Sequence, residues 1–297
     1  MKKTTAILAA LAITLFSVNA SAQAPQKDNQ LFNHWSVGLG LLEDFHVQVA
    51  GTILPNLQVR VLYSTLTPYV GIANAATKKS LGGINPYRTD IPVGDNGVHQ
   101  NGLNIDKINL EAKLHSREIQ LMVDFFPSKV SNFHLTGGVI FDITPNIVTA
   151  SGTPVSNDGS AALQPSDMGK KEIAGITTDL NGVINLRAAY GLPTVRPYIG
   201  FGFGRPVDVE KRVSVNFDLG IAVIGGLHVY GENYMTNYPE PTTVELNSQW
   251  LNTAQVNGKS IAESMGSQSA KIAEYLDMAN SFPILPYARI AVNVRLF

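Results

Sequence analysis

Eight charged side chains are the residues of this chain whose types and spacing could do chemistry. They fall on the polar side of segments in which polar and apolar residues alternate. The set contains four cations and four anions: Arg60, Arg196, Arg289, Arg295, Glu118, Asp124, Asp142 and Asp218. Opposite charges that are enclosed together are expected to pair, because an unpaired buried charge is strongly destabilising.

The expected pairings follow from the depth of each residue along its segment. We predict that Arg60 neighbours Asp124 and that Arg196 lies near Asp142. Asp218 is expected beside the final strand, which carries Arg289 and Arg295. Such a charge network has two interpretations. It either lines a narrow polar path for a zwitterionic solute or closes the interior as a salt-bridged plug. The plug is favoured, because an eight-stranded barrel is only wide enough for its own side chains and aqueous channels have about 16 strands.

The charges lie in segments with apolar residues at every second position, which is typical of strands with one apolar face. The longest runs from Val213 to Tyr230, with glycine, serine, asparagine and aspartate on its polar side. Including this segment, eight strands are predicted, near residues 35–41, 45–53, 57–64, 118–125, 133–143, 195–203, 213–230 and 289–296.

The connections between these strands alternate in length. Those near residues 54–56, 127–131 and 205–212 are short, whereas residues 67–107, 148–180 and 231–282 are long. A tight turn at Glu43 and Asp44 is the exception. Short turns on one side and long ones on the other are typical of outer-membrane barrels. We therefore predict an all-β fold, an eight-stranded antiparallel transmembrane β-barrel with short periplasmic turns and three long extracellular loops. Residues 70–106 and 148–180 are predicted to be mobile, and a short helix is predicted near 259–278 in the third loop.

The N-terminus indicates export. Residues 1–22 read as a signal peptide, with Lys2 and Lys3 before an apolar stretch and a cleavage motif at Ala20 to Ala22. Residues 23–32 are then a short extension, and 33–297 form the barrel in the outer membrane. The expected partners are outer-membrane lipid and the barrel-assembly machinery, which would recognise the C-terminal strand ending in Phe297.

The strand that begins near Val195 resembles a known family. Its residues Pro197, Tyr198, Gly200, Phe201 and Gly202 are followed by a short charged turn and by the hairpin segment 217–220. Together they resemble the CarO-like family of ornithine-uptake outer-membrane proteins, as do the neighbourhoods of residues 124–127, 133–138 and 282–286. The resemblance implies an eight-stranded barrel, passive uptake of small, often basic, amino acids, and an association with carbapenem susceptibility.

Other functional classes find little support in the sequence. The net charge of −1 favours no nucleic-acid partner. The glycines from Gly200 to Gly204 lack the spacing of a nucleotide-binding loop, and the six histidines do not cluster as metal ligands. We predict no catalytic residues, no cofactor and no metal. The predicted function is a narrow passive path for small polar solutes such as amino acids. The alternative is a non-conducting surface barrel that acts in adhesion, binding or envelope integrity.

Overall fold

The computed structural model describes residues 33–296, except 43, 66–87, 93–104, 115, 145–146, 157, 159, 161, 164–171, 174, 193, 235–240, 257 and 267. The predicted signal peptide, the N-terminal extension, Glu43 and Phe297 lie outside the described residues.

Eight of the strands, all numbered in chain order, close into one barrel. They are β1 (Trp35–Leu42), β2 (Phe45–Leu54), β3 (Leu57–Thr65), β6 (Arg117–Phe125), β7 (Phe133–Asp142), β12 (Val195–Phe203), β13 (Val213–Val223) and β18 (Ile284–Arg295). The order around the barrel is β1-β18-β13-β12-β7-β6-β3-β2, with every neighbouring pair antiparallel. The predicted eight-stranded antiparallel barrel is confirmed.

Alternation of side chains gives the barrel two different surfaces. Along β6, the odd-numbered residues from Arg117 to Phe125 are exposed and the even-numbered residues between them are buried. The same alternation is present along β12, and along β18 it is present with the even-numbered residues exposed and the odd-numbered residues buried over most of the strand. Because successive side chains of a strand point to opposite faces, the barrel presents leucine, isoleucine, valine and phenylalanine outward and encloses its polar residues.

The predicted strand from Val213 to Tyr230 is wrong in one respect, because it divides into two. Gly225 and Gly226 have φ angles of 72° and 100°, a conformation that glycine adopts at little cost and that ends the regular strand. The chain resumes as β14 (Leu227–Asn233), which pairs with β11 (Ile184–Tyr190) and not with a barrel strand.

Strands of a second sheet occupy described parts of the segments predicted as long loops, so the prediction of mobile loops is wrong for those residues. The sheet has the order β15-β14-β11-β8-β5-β4. Its remaining strands are β4 (Arg88–Pro92), β5 (Lys107–Leu114), β8 (Val148–Val155) and β15 (Thr242–Glu245). Ile176, Ile184 and Leu246 form a small core against this sheet. Burial of apolar side chains gives these segments regular structure that no barrel pairing supplies.

The second sheet, which we call the outer sheet, continues one side of the barrel. Strands β5, β8, β11 and β14 each adjoin a barrel strand in sequence, and their order matches that of β6, β7, β12 and β13. Backbone hydrogen bonds span the junctions, for example from Gly191 N to Gly226 O at 2.9 Å and from Ile143 N to Arg117 O at 2.8 Å. Four adjacent barrel strands therefore extend beyond the rim.

Smaller elements complete the described chain. The short hairpins pair β9 (Glu172–Ile173) with β10 (Ile176–Thr177), and β16 (Gln255–Val256) with β17 (Lys259–Ser260). The helices are α1 (Ser248–Thr253), α2 (Ile261–Met265) and α3 (Gln268–Ser281). Ser260 and Glu263 form a capping box at α2, and Gly266 follows its end. Among the described residues, no helix is both long enough and apolar enough to cross a bilayer.

Candidate functional site

The interior of the barrel is filled by side chains from all around the wall. The inward residues include several large or polar side chains with at most 2% of their surface exposed: Gln48, Gln58, Arg60, Leu62, Gln120, Met122, His134, Ile140, Arg196 and Asn293. Polar residues that are buried to this extent require hydrogen-bonding partners. The charged residues of the interior form three clusters.

The first cluster is built around Arg60. Its guanidinium donates to both carboxylate oxygens of Asp218, at 2.8 and 2.9 Å, and to Oδ1 of Asp124 at 2.7 Å. Nε2 of His134 lies 2.8 Å from Oδ1 of Asp218, and the Thr136 hydroxyl donates to Asp124 at 2.7 Å. One guanidinium thus compensates two buried carboxylates, which come from strands on either side of the lumen.

The second cluster is built around Arg196, which is fully buried. It donates to Asp142 at 2.7 and 2.9 Å, to Oε1 of Glu118 at 2.6 Å and to the Tyr287 hydroxyl at 2.7 Å. Gln120 donates a further hydrogen bond to Glu118 at 3.0 Å. Hydrogen bonds between charged partners are the strong ones in a low-dielectric interior, so this cluster holds four strands together.

The third cluster contains Arg289, Asp44 and His46. Arg289 Nε lies 3.8 Å from Asp44, and Nδ1 of His46 lies 2.8 Å from the same carboxyl group. The Arg289 guanidinium also lies 4.4 Å from the centre of the Tyr287 ring. Asp44 is in the turn between β1 and β2. Burial there raises its pKa, but the hydrogen bond from His46 and the charge of Arg289 outweigh burial and hold the pKa below its ordinary value.

An apolar layer separates the first two clusters. It consists of Leu62, Met122, Ile140, Tyr198, Ala222 and Tyr287, with Leu285 packed against it. On β3, Leu62 is the inward residue between Arg60 and Ser64. On β7, Ile140 lies between Thr136 and Asp142. The lumen is therefore charged, then apolar, then charged along its axis.

The turn between β12 and β13 closes the end of the barrel where the short turns lie. Its Val207 is 1% exposed and exchanges two hydrogen bonds with the Gln58 amide, at 2.7 and 3.0 Å. The Ser36 hydroxyl donates to the carbonyl oxygen of Pro206 at 2.7 Å. Residues 206 and 207 consequently fold inward across the end of the barrel instead of forming an open hairpin.

Seven of the eight charged residues predicted to form a network lie in these clusters, and Arg295 does not. Asp218 stands opposite Arg289 in the strand register but pairs with Arg60 from across the lumen. Arg295 donates to the carbonyl oxygens of Asp208 and Val209, with the Asp208 bond at 3.0 Å. Arg295 lies at the end of β18 and binds the inward turn, whereas Asp218 lies beside the middle of the same strand.

Sequence reasoning missed an uncharged part of the network. Gln48, Asn216 and Asn293 are linked by hydrogen bonds, among them Gln48 to Asn216 at 3.0 Å and Asn293 to Asn216 at 2.8 Å. Asn216 also donates to Asp218 at 2.6 Å. The signal was present as amide side chains on the polar face of three segments, but the prediction considered charged residues alone.

The residues that carry the family resemblance have distinct positions. Pro197 and Phe201 point outward, whereas Tyr198 is buried in the apolar layer. A Cβ atom at Gly200 would lie 2.6 Å from the Tyr198 hydroxyl oxygen, and one at Gly202 would lie 2.5 Å from a ring nitrogen of His134. These glycines leave the space that the inward aromatic and imidazole rings occupy.

Only one group of possible metal ligands is present in the part of the chain that the structure describes. Ligand atoms of Asp124, His134 and Asp218 lie within 4.8 Å of one another. Arg60 is paired with both of these carboxylates, at 2.7 and 2.8 Å. The guanidinium already supplies the positive charge that a metal ion would bring.

The solved structures that match this chain include two from Acinetobacter baumannii. A crystal structure of CarO has a TM-score of 0.40 and 14% sequence identity, with 90% of this chain and 99% of that chain covered. A crystal structure of CarO2 has a TM-score of 0.38 and 15% identity, covering 90% of this chain and all of that one. CarO is the family expected from the motif strand. No family model and no curated protein match the sequence.

Proposed function

We propose that this chain is an outer-membrane β-barrel with a closed lumen, and that it presents the outer sheet and its helices for binding or envelope integrity. The observation that carries the proposal is the filled interior, in which an apolar layer lies between two ion-pair clusters. This corresponds to the non-conducting alternative derived from the sequence. A narrow path for amino acids, which the family resemblance implies, stays a prediction.

The outer wall supports the membrane location. Its outward side chains include Leu39, Ile199 and Val292, which are 58%, 65% and 51% exposed. Monomeric proteins in water rarely expose contiguous apolar patches larger than a few hundred Å². The barrel strands contain 8 to 12 residues, near the roughly 9–11 that a tilted strand needs to cross the hydrocarbon.

A charged substitution on this wall tests the membrane location. Ile199→Lys should lower the free energy of unfolding in phospholipid vesicles by about 2–4 kcal/mol, because lysine at mid-depth faces hydrocarbon. The matched control is Val130→Lys in the turn between β6 and β7, where the side chain is 89% exposed. Its effect should be within about 0.5 kcal/mol. Equal effects of the two substitutions in urea titrations would argue against a lipid-facing wall.

The filled lumen predicts that the folded protein does not conduct. A solute passing through would have to separate Leu62, Met122 and Ile140 and then break the pairs of Arg60 or Arg196. Because unpaired buried charges are strongly destabilising, such openings should be rare.

Single-channel recordings in planar bilayers measure this directly, with liposome swelling in glycine, ornithine and a sugar as the second assay. A wide porin in the same bilayers serves as the positive control. Steady conductance steps from purified, folded protein, or swelling that depends on the solute, would contradict the closed lumen and support the amino-acid path.

A further inference from the structure

A pocket of about 600 Å³ lies at the short-turn end of the barrel. Thr52 and Leu54 of β2, His34 before β1, and Lys129, Arg205 and Val209 of the neighbouring turns contribute to its lining. The charge clusters of the lumen share none of these residues. No carboxylate is among the described residues that line the pocket.

Thr52 gives the pocket a buried hydroxyl that could bind a polar group. The residue is 8% exposed, and its hydroxyl oxygen has no hydrogen-bond partner among the described residues. Nδ1 of the adjacent His34 is likewise buried and unpartnered within that part of the chain. The pairing of β2 with β3 shifts register between Thr52 and Leu54, and such bulges re-aim side chains next to sites. A buried hydroxyl without a partner is destabilising unless a ligand binds it.

The pocket is also positively charged. Lys129 and Arg205 line it, and neither forms an ion pair with a carboxylate of the described chain. Arg205 donates instead to backbone carbonyl oxygens, including those of Ser131 at 3.1 Å and Lys129 at 2.7 Å, and lies 4.1 Å from the centre of the Phe126 ring. Carbonyl oxygens orient the guanidinium. The carboxylate charge of Asp208 acts on it, but Asp208 forms no ion pair with Arg205 and does not line the pocket, so the pocket can attract an anion.

Part of the lining of the pocket is apolar. Leu54 and Val209 are 49% and 54% exposed, and both line the pocket beside its cations. An anion held here would therefore have its charged group against Lys129 and Arg205 and an apolar surface beside it. A lipid whose headgroup lies at the rim of the barrel and whose acyl chains run along the wall has this chemistry.

We propose that this pocket binds the phosphate group of a phospholipid, with the Thr52 hydroxyl and Lys129 as donors and Arg205 as the fixed positive charge. The inference rests on the proposed membrane location, since only an embedded barrel brings lipid to this rim. Free inorganic phosphate offers the same oxygens without acyl chains, and the experiment separates the two sources.

The test uses the full folded chain in non-ionic detergent, with native mass spectrometry as the readout. Dihexanoyl-phosphatidylglycerol is titrated alone and in competition with inorganic phosphate. Thr52→Val and Lys129→Gln should each weaken retention of the lipid roughly tenfold, which is the size expected for losing a hydrogen bond to a charged group. Lys211→Gln changes an exposed lysine of the neighbouring turn outside the pocket and should leave retention unchanged.

Each result decides a different point. Equal retention by the two pocket variants and the control would overturn the inference. Binding of inorganic phosphate that matches or displaces the lipid would assign the pocket to a soluble anion instead. Insertion of the unmodified protein into vesicles is measured separately. If it fails while pocket-dependent binding in detergent persists, the proposed membrane location is wrong and the phosphate site stands.

Discussion

Replacing Arg60 with methionine should lower the free energy of unfolding by about 3–5 kcal/mol, the range measured when one partner of a buried ion pair is removed. The variant leaves Asp124 and Asp218 enclosed with no guanidinium between them, although both are at most 3% exposed. Urea titrations of the protein in vesicles, followed by tryptophan fluorescence, give the difference directly.

Two further variants make this result specific. Arg212→Met removes an arginine from the exposed turn before β13 and should change stability by no more than about 0.5 kcal/mol. Adding Asp218→Asn to Arg60→Met removes one of the stranded charges, so part of the lost stability should return. If Arg60→Met behaves like the surface control, the cluster contributes nothing to the fold, and the salt-bridged plug loses its main support.

Truncating the apolar layer should have an effect of similar size. Leu62→Ala is expected to cost about 2–5 kcal/mol, because the removed atoms leave a cavity that Met122 and Ile140 fill only in part. Leu180→Ala is the matched control, since this leucine is 47% exposed beyond the barrel and should change stability by about 0.5 kcal/mol or less.

The same pair of variants distinguishes a packed lumen from a hydrated one. In a water-filled bore, Leu62 would already be solvated and its truncation would resemble that of Leu180. Equal unfolding midpoints for the two variants would therefore contradict the packed interior, whatever the conductance recordings show.

The barrel was predictable because each of its strands carries its own signal. Alternation placed Val215 and Phe217 outward and Asn216 and Asp218 inward without knowledge of any partner strand. Alternation did not predict the end of the barrel strand at Val223, because the residues of β14 alternate in the same phase although β14 belongs to another sheet. The adjacent glycines at 225 and 226 were the available signal for the break.

The outer sheet was harder to predict. Strand β5 has a clear alternation of its own, with Ile108, Leu110, Ala112 and Leu114 separated by Lys107, Asn109, Glu111 and Lys113. This signal was overlooked because the segment adjoins a long stretch rich in glycine and asparagine. The pairing of β5 with β8 also joins residues far apart in the chain, so local pattern alone could not supply it.

Within the site, pairings between sequence-neighbouring strands were easier to predict than pairings across the lumen. The pair of Arg60 and Asp124 joins neighbouring barrel strands, and so does the pair of Arg196 and Asp142. The bond from Arg60 to Asp218 spans the interior, and alternation does not encode which residues meet across the lumen. The inward position of Val207 gave no signal, because the charged residues around it, such as Asp208 and Lys211, are typical of an exposed hairpin.

The one-sided extension of the barrel makes its two flanks unequal. Strands β6, β7, β12 and β13 rise into the outer sheet, whereas β1 and β2 are joined at once through Asp44. In the membrane setting that we propose, the tall flank would hold neighbouring molecules at a distance. The low flank would let another molecule approach the barrel from the side, so lateral packing in the envelope should have a preferred direction.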